Sequence, residues 1–453
     1  MKDTNTIEIS PVERRAVGSL ALLYALRMLG LFMILPVMML EGSYLEGATP
    51  ELLGIVIGGY GLTQALLQVP AGLLSDYFGR KPIIVAGLLI FALGSFVAAS
   101  AETIEMMILG RMLQGAGAIA SAIMALVTDL TQEENRMKAM SMIGASIGLS
   151  FSVALVLGPV LVNLGGVSLI FWLTGIAALV GIAIVLFLVP KAHKMRHRDA
   201  IALGSDMLAQ TKNPVLWSLS IGIFLLHALL VAMFVAIPMQ LVSVGLAGDD
   251  HAWLYLPVLL VAFVLMVPFV IVAEKKRQMK GIVLTAITIL IVALLIMYAA
   301  SAIWMWAVAL LVFFIGFNIL EASLPSWLSK IAPAGAKGSV MGMYSTAQFL
   351  GAFIGGWLGA KAISQWGEHG IFMILAGTMV VWFLVVLMTS KPKHLTSARI
   401  DISGSSQDDE HLLDLVMEVS GVDDAVLISE ESAIYLKVDS ATFDYQQAKA
   451  AVQ

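Results

Sequence analysis

The chain has 453 residues, 59% hydrophobic and 13% charged, with 26 Lys and Arg against 31 Asp and Glu, and no cysteine. A soluble protein of this length needs more polar surface, so the composition points to a membrane. The absence of cysteine excludes disulfides, thiolate metal sites and cysteine nucleophiles.

In chain order, Ser10-Pro11-Val12-Glu13 reads as a capping box with proline at the first helical position. The apolar run behind it is too long for a cleavable leader and has no processing site. A spanning helix takes about 20 apolar residues. Twelve runs meet that measure, near 16–40, 50–75, 82–101, 103–129, 137–162, 165–190, 215–243, 251–273, 281–300, 302–329, 338–363 and 369–390. None alternates as a barrel strand would. All of the 26 bases except Arg27, Arg111 and Lys361 fall in the tails or in alternate loops, while the opposite loops carry acids such as Glu41, Glu102 and Asp249. The positive-inside rule then puts both termini in the cytoplasm, with the chain in the inner membrane.

The basic stretch 191–214 separates a six-helix bundle, 16–190, from a second of nearly the same length, 215–390, after a short cytoplasmic tail, 1–15. Asp76 and Glu274 lie at matching depths in the two bundles, and each is followed by bases, as a duplicated unit would leave them. The plainer alternative is a basic loop at that place in each bundle, and the duplication is the reading preferred over it. Residues 398–453 carry twelve acids and three bases. There "ARIDIS" alternates like a strand, and Leu412, Leu415, Val416 and Val419 take helical spacing up to Gly421. "DAVLISE" and "AIYLKVD" read as a hairpin and "FDYQQAKAAV" as a closing helix. The expectation is a small cytoplasmic βαββα domain.

A charge at the bilayer centre costs at least about 3 kcal/mol, so those inside the spans need an account. Arg27, Arg111, His227 and Glu321 fall in spans 1, 4, 7 and 10, every third helix, which predicts one polar cavity lined by those four. Gln114 and Asn318 extend it, Asn318 lying one turn from Glu321 on the same face. A buried carboxyl is the usual proton carrier in such a place, and Glu321 is the candidate. Two plainer readings stay open: Arg111 could snorkel to the interface, and His227 could be a neutral packing residue. Gly144, Gly148 and Gly158 permit close helix contact, and Gly158-Pro159 predicts a kink.

"GLLSDYFGRK" resembles the signature between helices 2 and 3 of the major facilitator superfamily. "RMLQGAGA" is similar to that family's helix-4 motif, and the glycines before "GP" to the helix-5 motif of its drug–proton antiporters. "LRMLGLFMILPV", "YGLTQALLQVPAGLLSD", "AEKKRQMK" and the acidic tail are similar to facilitators with an appended ferredoxin-like cytoplasmic domain. The resemblance implies an all-α membrane protein with a twelve-helix fold, helices 1, 4, 7 and 10 around a central cavity, and a small α+β domain. It implies proton-driven export of small molecules, drugs among them, by a monomer working through alternating access, with no cofactor. On the same residues we expect a latch for the outward-open state, made of Gly72, Asp76, Gly79, Arg80, Lys81 and, by the family's pattern, Asp129 against the start of helix 11; the plainer alternative is that Arg80 and Lys81 only enforce topology. Ala145, Ala154 and Val162-Asn163 stand where the helix-5 motif has glycine. The tail lacks the cysteine pair of a metal-binding domain, and Asp408, Asp409 and His411 would make only a weak site, so no metal is expected. Two other functions fit the same chain: proton-coupled import of a nutrient, and a sensor whose tail is the output. No nucleophile–base set or phosphate loop suggests an enzyme, and the acidic tail excludes nucleic acid as a partner.

Overall fold

Ser10 and Glu13 start the first helix by exchanging bonds. Glu13 N donates to Ser10 Oγ at 3.2 Å, and Ser10 N to Glu13 Oε2 at 2.9 Å. The computed structural model describes residues 10–131, 133–190, 214–276, 278–333, 337–389, 395–402, 409–428, 433–439 and 442–452. Most of the basic linker, Asp408, and the side chains of Glu274 and Asp409 lie outside the described residues.

Helix α1 (Pro11–Phe32) unwinds through 33–37, around Pro36, before one further turn at Met38–Glu41. The expected uninterrupted run 16–40 is therefore broken. Helix α2 (Pro50–Phe78), α3 (Arg80–Ala99) and α4 (Ile104–Asp129) follow, and α4 is interrupted between Ala116 and Ala120. One long helical stretch then divides at Gly165 and Gly166 into α5 (133–164) and α6 (167–183). The second half runs α7 (Pro214–Ser243), α8 (His251–Lys275), α9 (Met279–Ala299) and α10 (Ile303–Ile331), then α11 (337–366) and α12 (368–388) across Gly367.

Among the described residues, ten stretches are long and apolar enough to cross a membrane, and one of them, Lys138–Leu188, takes in most of α5 and all of α6. The span outside that set is α11, which is wedged between α2 and α7. Its Gly351, Gly355 and Gly359 face the α7 backbone at Phe224, Ala228 and Ala232, while Gly356 meets Gly54 and Gly58 of α2. Glycines four apart let backbones close to distances that any Cβ would forbid.

The chain ends in a sheet of β1 (Leu395–Asp401), β2 (Val422–Ile428) and β3 (Ala433–Asp439), ordered β1-β3-β2 and antiparallel throughout. Helices α13 (Asp409–Met417) and α14 (Tyr445–Val452) complete βαββα. Ile434, Leu436 and Val438 point into a core with Leu412, Val416 and Ala448. The alternate residues Ala433, Tyr435 and Lys437 are buried too, on the other face. Lys437 Nζ donates to the Ser329 carbonyl at 2.9 Å, so that face sits against the last turn of α10.

Candidate functional site

The two bundles meet most tightly on the side away from the termini. There, residues 33–39 after α1 and 229–238 of α7 are buried on every face. The glycine-mediated approaches between α2 and α11 run from Gly54 to Gly61 against 349–360, all in that half of each helix.

On the terminal side, the turn between α2 and α3 is set by Gly79, at φ 97° and ψ 150°, a region only glycine occupies readily. This turn places Arg80 at the start of α3. Its Nε donates to Asp129 Oδ2 at 3.1 Å, its Nη1 donates to Ser75 Oγ at 2.7 Å, and Nη1 also pairs with Asp76. One guanidinium thus ties α2, α3 and α4 together, using its planar fork as a lysine could not. Gly72 faces the Ser121 side chain of α4. Lys81 Nζ donates to the Val189 carbonyl at the end of the first bundle, 2.5 Å away.

The expectation for Arg111 and Gln114 needs correction: both are wholly buried and line no open space. Arg111 Nε donates to the Val56 carbonyl at 2.9 Å, Nη2 to the Ile57 carbonyl at 3.2 Å, and Nη1 to Gln114 Oε1 at 2.6 Å. Gln114 passes the network on to Ser95 of α3, and the guanidinium lies over the Tyr60 ring, 4.8 Å from its centroid. Nor does Arg111 snorkel. Its charge is spread over carbonyls and a ring face, so it braces α2 against α4. Arg27 is nearly as buried; Nη2 donates to Gln64 Oε1 at 2.5 Å and to the Gly117 carbonyl at 3.4 Å.

In the second bundle, His227 on α7 and Glu321 on α10 come within 3.8 Å, Nε2 to Oε2. Gln348 of α11 lies between them, its amide nitrogen 2.8 Å from His227 Nε2 and 3.4 Å from Glu321 Oε1. When that amide donates to Nε2, the imidazole is neutral with its proton on Nδ1. Asn318 is half-buried one turn before Glu321, and the His227 ring lies 6.1 Å from that of Phe317. Sequence reasoning missed Gln348, because an uncharged glutamine in a mixed span carries no signal until its helix is placed. It also missed the Gly351, Gly355, Gly359 face, although the spacing of four was there to read.

The glycines of α5 divide. Gly158 approaches the Met33 backbone and Pro36 where α1 unwinds, but an added Cβ at Gly144 or Gly148 would meet nothing. Close helix contact there is corrected to Gly158 alone. Among the described residues, no three His, Asp or Glu gather to hold a metal ion.

Comparison with known proteins agrees with this geometry. The Major Facilitator Superfamily model matches residues 20–356 and, in a second overlapping match, 282–404. The YajR YAM domain model matches residues 398–448. Inner membrane transport protein YajR of Escherichia coli (strain K12) is 43% identical over 452 residues, covering 98% of this chain and 99% of that protein. Multidrug resistance protein MdtH of Aeromonas salmonicida is 25% identical over 391 residues, 84% of this chain and 97% of its own. Among solved structures, a D-xylose-proton symporter shares the fold with a TM-score of 0.65 at 14% identity, covering 84% of this chain and 98% of its own.

Proposed function

The chain belongs to the major facilitator superfamily, as a YajR-like transporter rather than an enzyme, and on that premise we propose that it exports small molecules in exchange for protons. The bilayer and a small-molecule cargo follow from membership; protons, direction and a monomeric state belong to the proposal. The observation that carries it is the His227–Gln348–Glu321 group, an ionisable pair joined by an amide across three helices of one bundle. A proton arriving at Glu321 removes the acceptor charge that holds Gln348, and so changes how α7, α10 and α11 are tied.

With both termini in the cytoplasm, the clamped side is the outer one and the path between the bundles opens inward. The Asp76–Arg80–Asp129 cluster stays whole within the first bundle in this state. It is then ready to meet the positive end of α11 when the inner side closes. Export rather than import is favoured by likeness to the multidrug resistance protein.

The test uses proteoliposomes, an imposed pH gradient and a panel of fluorescent lipophilic cations. Protein with Glu321→Gln is expected to bind cargo yet lose gradient-driven transport. Full pH-dependent turnover in that variant would remove Glu321 as the carrier.

A further inference from the structure

Phe151 is the one aromatic residue of α5, and its ring reaches across to the second bundle. It stacks on Phe317 of α10, with centroids 6.3 Å apart and 24° between the planes. It also meets Phe314 of α10 at 6.0 Å and Phe234 of α7 at 6.4 Å. Phe32, at the end of α1, adds an edge contact from its own bundle at 5.1 Å. Phe151 is 8% exposed, and the three rings it meets across the bundles are buried. Phe313 stacks behind Phe317 at 6.0 Å, so the seat of the ring is fixed by its own helix.

This group marks the level at which the space between the bundles ends. On the terminal side of Phe151, a Cβ added at Gly144 or Gly148 would meet nothing, whereas beyond it Gly158 is pressed onto the Met33 backbone. Phe32 leads into 33–39 and Phe234 lies within 229–238, the two stretches buried on every face. His227 comes two turns before Phe234 on α7, and Glu321 one turn after Phe317 on α10, both toward the termini. One ring of the first bundle, seated among three of the second, thus lies between the His227–Gln348–Glu321 group and the closed side. Such a ring stabilises contact only while the bundles are together, and it leaves with its helix when they part.

We infer that Phe151, seated on Phe317, is the bolt of the gate on the side away from the termini. Seated, it joins the two bundles there and fills the path to the His227–Gln348–Glu321 group. Unseated, it lets that side open. The inference stands whether or not Glu321 carries the proton.

The test reads the distance between two exposed loop positions on that side, Glu102 before α4 and Ser301 before α10. The chain has no cysteine, so Glu102→Cys with Ser301→Cys takes a pair of spin labels, measured on the full chain in detergent. With Phe151 in place, one short distance should dominate. Phe151→Ala loses every ring contact and should raise the share of longer distances about tenfold. Phe151→Leu keeps apolar bulk and should raise it less. Combining Phe151→Leu with Phe317→Leu should fall short of the summed free energies of the two single changes, because both remove the same stacked pair. Phe96→Leu breaks a ring pair with Trp172, at 5.2 Å, inside the first bundle. It should lower the melting temperature and leave the distance alone. Unchanged distances in both Phe151 variants, full additivity in the double variant, or an equal rise in Phe96→Leu overturns the inference.

Discussion

Lys81 and Lys280 make the same bond in the two bundles. Lys81 Nζ donates to the Val189 carbonyl at 2.5 Å, and Lys280 Nζ donates to those of Thr389 and Leu387 at 2.6 and 3.0 Å. Each lysine lies at the same depth in its half, at the start of the third span, and each caps the end of the sixth. A cation there satisfies carbonyls that helix geometry leaves open and meets the negative end of the dipole. The matched pair is what a duplicated six-helix unit would leave behind.

Lys81→Met and Lys280→Met should each lower stability by about 1 kcal/mol, since each loses a charge-assisted bond at a helix end. The bundles are separate, so the double variant should show the sum. Thermal unfolding in detergent measures all three, and a double variant no worse than either single one would contradict the symmetric roles.

At Gly79 the backbone holds φ 97° and ψ 150°, which L side chains avoid. Gly79→Ala should cost about 1–3 kcal/mol through the backbone alone, because an added Cβ there meets nothing closer than Pro82 Cδ at 3.7 Å. The strain would move Arg80 off Asp129. Transport should therefore fall together with melting temperature. In Arg80→Lys transport should fall with less loss of stability, because one ammonium cannot hold Asp129, Ser75 and Asp76 at once.

What was legible in the sequence follows from what water and lipid punish. The spans, the capping box at Ser10, the βαββα tail and the acid–base turn all rest on apolar length, caps and charge, each visible residue by residue. Arg111 misled, because a charge in a span signals need but not the answer, and its answer was two carbonyls of α2. The break in α4 was hidden in "QGAGAIA", whose small residues suit tight packing and an open turn equally. Gln348 and the Gly351 face depend on which helix lies beside which, and that is decided by the packing of twelve spans together.

Gly58 tests the clamp. A Cβ there would come 2.9 Å from the Ala352 carbonyl and the Phe353 backbone. Gly58→Val should wedge α2 from α11 on the side away from the termini and shift the population toward the state open there. Because the chain has no cysteine, a single one introduced at Asn318, one turn from Glu321, reports on access to that place without background. Its labelling from that side should rise in the Gly58→Val protein, and unchanged labelling would show that the glycine contact does not hold the gate.

The small domain makes a prediction about charge. It is acidic overall, yet it touches α10 through a base: Lys437, 3% exposed, on the Ser329 carbonyl in the last turn. Lys437 lies on the buried Ala433, Tyr435 and Lys437 face and reaches that helix, so docking depends on a cation meeting the negative end of a dipole, beside apolar burial. Lys437→Met removes the first and keeps the second. The loss should be about 1–2 kcal/mol, roughly a tenfold shift toward the undocked form. Spin labels at Lys449 on α14 and at Lys330 on α10 give the distance between domain and helix end. A narrow distribution is expected in the unaltered chain, broadening with Lys437→Met and also, to a smaller degree, with added salt. Since α10 carries Glu321 nearer its middle, the same variant should change the pH dependence of transport if the domain restrains that helix. A distribution that stays narrow in Lys437→Met would leave the apolar face as the sole anchor, and a pH profile identical to the unaltered chain would make the domain a passenger on α10.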